Sequence, residues 1–255
     1  MSGVLFSRRP LLVGAAGLGG LSVSGCDKLS ENQRLQGVLQ SADTLSLASQ
    51  RFLQAGHAMA TEFTTADLSP VFKANGSMTG AGPEYQRHVQ TGFADWRLRI
   101  DGLVHRPLAF TLAQIRRMPS RTQITRHDCV EGWSAIGQWT GAPLGMILKA
   151  AGLMPQARYV VFHCADNLDA NLAASGQYYE SIDLVDAFHP QTILAHTLNG
   201  EPLSVGHGAP LRLRVEKQLG YKSLKFLHRI VVSDRFEDPG KIGPLQEGWA
   251  WYVGI

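Results

Sequence analysis

From Trp96 onward, apolar and polar residues alternate in short runs at unequal spacings, interrupted only by brief helical patterns. This constrains the fold more than any other feature. Trp96 to Leu103, Gln123 to Asp128, Tyr159 to Cys164, Leu211 to Val215 and His228 to Ser233 read as strands. Leu112 to Met118 reads as a short helix with Thr111 as its N-cap, and Leu144 to Ala151 as a second, closed by Gly152 and Pro155. A doubly wound parallel sheet needs a full helix between successive strands, so this spacing argues against one. With 255 residues, 44% of them apolar and 18% charged, the chain can bury one substantial core. No internal repeat or low-complexity tract divides it.

The first residues follow a different grammar. Ser7-Arg8-Arg9-Pro10-Leu11-Leu12 leads into an uncharged, glycine-rich apolar run that ends Val23-Ser24-Gly25-Cys26. Paired arginines before a short apolar core read as a twin-arginine export signal over residues 1–25. The run is too short and too rich in glycine for a comfortable membrane span. Cys26 completes a pattern that resembles a lipobox, in which the cysteine is acylated and becomes the new N-terminus, tethering the protein to a membrane. An uncleaved anchor and a cleaved signal without lipid are the competing readings. Removal of Arg8 and Arg9 lowers the formal charge from +3 to +1, and nothing electrostatic calls for nucleic acid. Leu35, Val38, Leu39, Ala42, Leu45 and Phe52 recur near the helical period, which predicts an amphipathic helix within Leu29 to Gln54. Thr61 to Gly82 reads as a linker. The expected division is a signal (1–25), a lipid-attached helix and linker (26–82) and a catalytic domain (83–255).

Cys129 stands in the run Thr-Arg-His-Asp-Cys-Val-Glu-Gly-Trp-Ser, from Thr125 to Ser134, directly after a strand pattern. A sheet fixes the direction of a thiol at a strand end, while Gly132 and Trp133 let the chain turn away and wall off a pocket. On the residues alone, Cys129 is an apolar filler, the common fate of free cysteine, or a soft ligand for a metal centre. A nucleophile paired with His127 or His207 and an acid such as Asp128 is a further reading. Several ordered motifs accompany it: Trp139-Thr140-Gly141-Ala142-Pro143-Leu144, His189-Pro190-Gln191-Thr192, His207-Gly208-Ala209-Pro210-Leu211-Arg212-Leu213, and Leu219-Gly220-Tyr221-Lys222-Ser223-Leu224-Lys225. With these, the chain from about Phe93 to Ile255 resembles the molybdopterin-binding oxidoreductases of the sulfite oxidase superfamily. It is closer to the bacterial periplasmic branch, which includes protein-methionine-sulfoxide reductases, than to haem-fused sulfite oxidases.

The resemblance implies a mixed, β-rich α+β fold and a molybdenum–molybdopterin cofactor. Cys129 would be its molybdenum ligand and the catalytic position. The reaction implied is two-electron oxygen-atom transfer on a small or protein-borne sulfur or nitrogen oxide, with electrons exchanged with a separate membrane haem protein or cytochrome. Arg212, Ser223, Leu224 through its backbone and Lys225 match the family's cofactor contacts. The surrounding segment adds His207, Arg214, Lys217 and Lys222 as donors, and period two puts Arg212 and Arg214 opposite Leu211, Leu213 and Val215. Two departures bear on substrate. His207 replaces an asparagine before Gly-Ala-Pro, and His163-Cys164 occupies a strand that carries threonine near the metal in the methionine-sulfoxide branch. Asn75 loosely matches an asparagine that the branch brings from an early loop. His127 is expected to line the pocket or to be a hydrogen-bonded structural histidine. Trp133, Trp139, Trp249 and Trp251 are expected in core or pocket wall, and Cys164 in the core. Asp166, Asp169, Glu180 and Asp183 are expected as surface or capping groups, and the C-terminus as docked. A non-catalytic binding module is a third class of function, against which the retained Cys129 and basic cluster argue.

Overall fold

The computed structural model describes residues 45, 47–52, 58–167, 177–238, 243 and 249–255. The export signal, Cys26 and Asp169 lie outside them. Of the amphipathic helix expected within Leu29 to Gln54, residues 45 and 47–52 are helical. The chain divides after Leu53 into two units, and both sheets and the Cys129 motif belong to the second, Gln54–Ile255. Among the described residues, no helix is long and apolar enough to cross a membrane.

Two five-stranded sheets make this second unit. The first has the order β2 (Leu108–Thr111), β1 (Arg97–Gly102), β10 (Leu227–Ser233), β5 (Tyr159–Asn167) and β6 (Gln177–Asp183). Its β1–β10 pair is parallel and its other pairs are antiparallel. The second runs β3 (Arg121–Asp128), β4 (Ser134–Pro143), β7 (Ile193–Leu198) and β8 (Glu201–Pro202), with β9 (Arg212–Arg214) also on β7, all antiparallel. The mixed, β-rich α+β class is therefore as the sequence implied. The helices are short: α1 (Pro83–Gln90), α2 (Leu112–Arg117), α3 (Leu144–Ala151) and α4 (Leu184–Ala187).

Local chemistry sets the element ends. The Thr111 hydroxyl accepts from the Gln114 N–H at 3.0 Å, and the Gln114 side chain accepts from the Thr111 N–H at 2.8 Å, a reciprocal cap that starts α2. Gly152, at φ 70°, closes α3 where a side chain would be strained. The main core joins Leu98 and Ile100 of β1, Phe162 of β5 and Ile230 of β10 to the apolar faces of α2 and α3. Leu211, Leu213 and Val215 face that core, as period two requires. A smaller cluster of Phe72, Ala135, Trp139, Ile193 and Ala195 includes residues from β4 and β7.

Several elements escaped the sequence reading: α1, α4, β2, β4, β6, β7 and β8. In β4 the inward positions are Ala135, Gly137, Trp139 and Gly141, so no branched apolar series announces a strand. The glycines are there for space. A Cβ on Gly141 would lie 2.2 Å from the Leu194 carbonyl oxygen, and one on Gly137 would lie 2.8 Å from the Phe72 ring. In β6 the fully buried run from Tyr178 to Ile182 includes Glu180 and Ser181, which hides the period. Gly141→Ala should therefore force β4 off β7 and destabilise the domain by about 1 to 3 kcal/mol. Denaturant unfolding checks this, and an unchanged midpoint would contradict the close approach.

Candidate active site

Cys129 begins the five-residue connection from β3 to β4. Asp128 pairs with Ser134 across the two strand ends, the Cys129 N–H donates to the Trp133 carbonyl at 2.9 Å, and the Gly132 N–H donates back to the Cys129 carbonyl at 3.0 Å. Gly132 takes φ 84°, so the chain turns away there as the motif suggested. The thiol is left half-buried at the wall of a cavity of about 190 Å³. Asn75 reaches it from the early segment, donating from Nδ2 to Sγ at 3.6 Å. Its amide also lies against the exposed Glu131 carboxylate, whose pKa it holds below the ordinary value with help from Trp133.

Another part of the lining comes from β9, through Arg212, with Arg214 beside it on the same strand. Arg214, 1% exposed, grips Glu216 through Nε at 3.0 Å and Nη2 at 2.6 Å. Its Nη1 donates to His127 Nδ1 at 2.8 Å. Burial first, and then Arg214 and Arg212, push the His127 pKa far down, so its ring is neutral. The other edge of that ring abuts Gly220, where a Cβ would come within 2.5 Å of Nε2. His127 is thus both cavity lining and a hydrogen-bonded structural histidine. The guanidinium carbons of Arg212 and Arg214 sit 5.3 and 4.4 Å from the centre of the buried Trp139 ring.

Arg212 has no such carboxylate partner. It is 7% exposed and donates from Nε to the Ser223 carbonyl at 3.1 Å and from Nη1 to the His207 carbonyl at 3.4 Å. Its Nη2 has no hydrogen-bond partner among the described residues, although the residue lines the cavity. Burial and the neighbouring Arg214 push its pKa down to about 9. Burial and then Arg212 push Lys225 down to about 8. Both shifts come first from burial and next from the positive charge of a neighbouring arginine. Asp166, in the same lining, is shifted upward by burial against the pull of Ser77 and Lys225. Ser223 and Leu224 complete this wall. The Leu224 carbonyl accepts from the Leu213 N–H at 2.9 Å, and its own N–H has no partner among the described residues.

Other expected donors point elsewhere. His207 is absent from the lining: its Nε2 bonds the Phe72 carbonyl at 2.9 Å and its Nδ1 the Ser204 hydroxyl at 2.8 Å. Lys222 is fully buried and pairs with Glu180 at 2.7 Å, so Glu180 is neither a surface nor a capping group. Asp183 does cap α4, accepting from the Asp186 N–H at 2.9 Å. Asp166 faces the cavity instead of the surface. His163 lies by Asp238 at 3.4 Å and Cys164 is core, its thiol donating to the Tyr178 carbonyl at 3.2 Å, so neither departure in that strand reaches the cavity. Trp139 is core and Trp249 is wall, as expected. The C-terminus docks through the Leu219 N–H to the Val253 carbonyl and the Ile255 N–H to the Lys217 carbonyl, both at 3.1 Å. Tyr178 and Tyr221 line the cavity and were missed. Tyrosine at a strand or turn is ordinary core, and only the pairing of β6 with β5 brings Tyr178 here.

The nucleophile reading finds no support in this geometry. No hydrogen bond joins Cys129 to His127 or His207, and Asp128 is engaged by Ser134 and by Arg126 Nε at 3.0 Å. Among the described residues no three His, Cys, Asp or Glu side chains converge as a chelate.

Residues 84–240 match the family described as the oxidoreductase molybdopterin binding domain. A protein of Azospira oryzae named "Putative protein-methionine-sulfoxide reductase subunit YedZ1" is 33% identical over 249 residues, covering 97% of this chain and 88% of that one. The protein-methionine-sulfoxide reductase catalytic subunit MsrP of Gluconobacter oxydans is 38% identical over 147 residues, 54% of this chain and 47% of that one. Among solved structures, the sulfane dehydrogenase SoxCD of Paracoccus pantotrophus aligns with a TM-score of 0.49 and 26% identity, over 56% of this chain and 39% of that one.

Two buried cations in one cavity lining, Arg212 and Lys225, make a direct prediction for cofactor-free protein. Low-millimolar sulfate at constant ionic strength should raise its melting temperature, and Arg212→Met should abolish the effect. The sign with pH follows from Lys225. Its pKa, lowered to about 8, means that the folded state loses this charge before the unfolded chain does, so sulfate stabilisation should shrink as pH rises through 8. Equal sulfate stabilisation in wild type and variant would contradict the charge assignment.

Proposed function

Because the chain belongs to the molybdopterin-binding oxidoreductase family and is an enzyme of that cofactor, we propose that it transfers oxygen atoms with Cys129 as the protein's ligand to molybdenum. One observation carries this reading: a half-buried thiol and a buried arginine with a nitrogen unpartnered among the described residues line the same cavity. The donor set fits the group. A soft sulfur suits molybdenum, and Arg212 and the Leu224 N–H suit the anionic and polar edges of a pterin. When bound, the cofactor supplies the two-electron exchange that oxygen-atom transfer requires.

The chain's own residues hold, orient and exclude. Two strand ends aim the Cys129 sulfur. Arg214, saturated by Glu216 and His127, ties β9 to β3 through side chains, while Arg212 is left to bind. Tyr178, Tyr221 and Trp249 add aromatic surface to the lining, which would restrict water there. Reducing a sulfoxide to a sulfide and water consumes two electrons and two protons. Asp166, raised by burial, is the lining acid best suited to hold one of those protons. The relatives named for protein-methionine-sulfoxide reduction favour a sulfoxide substrate borne on a protein. Val130, 44% exposed in the lining, gives the mouth an apolar contact for such a side chain. A separate membrane haem protein or cytochrome would exchange the electrons.

Replacing the soft donor in Cys129→Ser should alter the molybdenum spectrum and abolish dye-linked turnover, even with pterin partly retained. An unchanged spectrum with wild-type turnover would sink the ligand assignment. We further propose that residues 1–25 direct twin-arginine export and that Cys26 carries the membrane lipid in the periplasm. Several acyl chains anchor a protein stably where one does so only marginally. Mass spectrometry should find acylated Cys26, and Cys26→Ala should release soluble enzyme. A mature chain that starts elsewhere without lipid would reject the anchor and leave the catalytic reading intact.

A further inference from the structure

Lys225 lines the cavity where it was expected, but its ammonium is engaged by the chain's own backbone. Nζ donates to the carbonyl oxygens of Asn75 at 2.7 Å, of Ser77, and of Gly206 at 3.2 Å. An ammonium has three protons, and three acceptors already take them. The stem is confined as well. A Cβ on Gly208 would fall 2.8 Å from Lys225 Cβ, so Gly208, at φ 104°, is what lets the lysine pass. The Phe226 ring centroid lies 5.0 Å from Nζ.

Two of the three carbonyls flank a single turn residue, Gly76 at φ 66°. That turn presents Asn75, whose Nδ2 donates to Cys129 Sγ at 3.6 Å. The Ser77 hydroxyl holds Asp166 in the cavity lining. The lysine thus grips the backbone of the segment that delivers one side chain to the sulfur and another to the buried acid. Asn75 and Ser77 are half-buried residues in a stretch with no helix or strand of its own, which has few other means of holding a fixed position.

We propose that Lys225 is a positioning residue: it clamps the 75–77 turn and so keeps the Asn75 amide on the Cys129 sulfur, while Arg212 supplies the contact to the anionic part of the cofactor. The clamp rests on the reading of Cys129 as the metal's ligand only for its consequence at the metal. A donor hydrogen bond to a ligating sulfur withdraws charge from it, and such outer contacts tune a metal centre.

Three variants made in a host competent for the cofactor test this: Lys225→Met, which keeps the stem, Lys225→Arg, which keeps the donors, and Asn75→Ala, which keeps the clamp. Lys225→Met should retain molybdenum and pterin near the wild-type ratio. Its amide exchange over residues 74–78 should rise by about tenfold or more, as expected for the loss of charge-assisted hydrogen bonds. Its paramagnetic molybdenum signal should shift in the same sense as that of Asn75→Ala. Lys225→Arg should restore both readouts, and Asn75→Ala should leave the exchange rates unchanged. Loss of pterin from Lys225→Met with no change in exchange would make the lysine a cofactor contact and overturn the clamp. A wild-type metal signal in Asn75→Ala would overturn the sulfur contact. If wild-type protein holds no molybdenum, the functional reading fails by itself, while exchange in Lys225→Met still decides the clamp. Should Lys225→Met not fold, exchange in Lys225→Gln decides it in the same way.

Discussion

Two arginines buried side by side on a three-residue strand set the terms for everything around them. Removing such charges from water costs several kcal/mol each unless partners compensate. Arg214 is compensated: Glu216 takes two of its nitrogens, His127 a third, and the Trp139 face covers the plane. Arg212 shares the same indole but has only carbonyl acceptors and one nitrogen without a partner among the described residues. This asymmetry separates scaffold from site. The satisfied arginine locks β9 to β3, and the unsatisfied one leaves a charge that an anionic ligand would complete.

The scaffold fixes where the Cys129 sulfur stands. Its direction comes from the end of β3, and β3 is held in turn by polar residues on its inner face. Gln123 donates to Glu216 at 2.9 Å and to the Gln191 carbonyl at 3.0 Å, and His127 accepts from Arg214. That face is buried without being apolar. A greasy face would slide or repack at small cost, whereas each of these bonds demands one geometry. Asn75 and Asp166 come to the cavity on segments far apart in the chain, joined by Ser77 and Lys225.

Much of this was legible in the sequence, and the reasons for the rest are physical. The strands around Trp96, Leu211 and His228 announce themselves because one face is apolar and the other is not, that around Tyr159 by its run of branched and aromatic residues, and that around Gln123 by alternation alone, since its buried face is polar. α2 and α3 carry their caps in the open. The strand β4 does not, because glycines at 137 and 141 make room for Phe72 and for β7. Nor does β6, whose polar residues are buried in pairs with partners from remote segments, as Glu180 is with Lys222. At the site, Cys129, Arg212, Ser223 and Leu224 could be picked out from motifs. Residue type alone cannot say what a lysine or a histidine has already spent its protons on. Lys225 lines the cavity and His207 does not, and both are engaged by backbone carbonyls of the early segment.

The central claim is that a sulfur of this chain enters the coordination sphere of molybdenum. X-ray absorption at the molybdenum edge of purified wild-type holoprotein tests it most directly, because it counts sulfur neighbours without reference to substrate or turnover. The expected result is more sulfur around the metal than the pterin's own dithiolene provides, with the excess lost when the chain's thiol is removed. A sphere whose only sulfur is that of the pterin, in fully loaded wild-type protein, would contradict it.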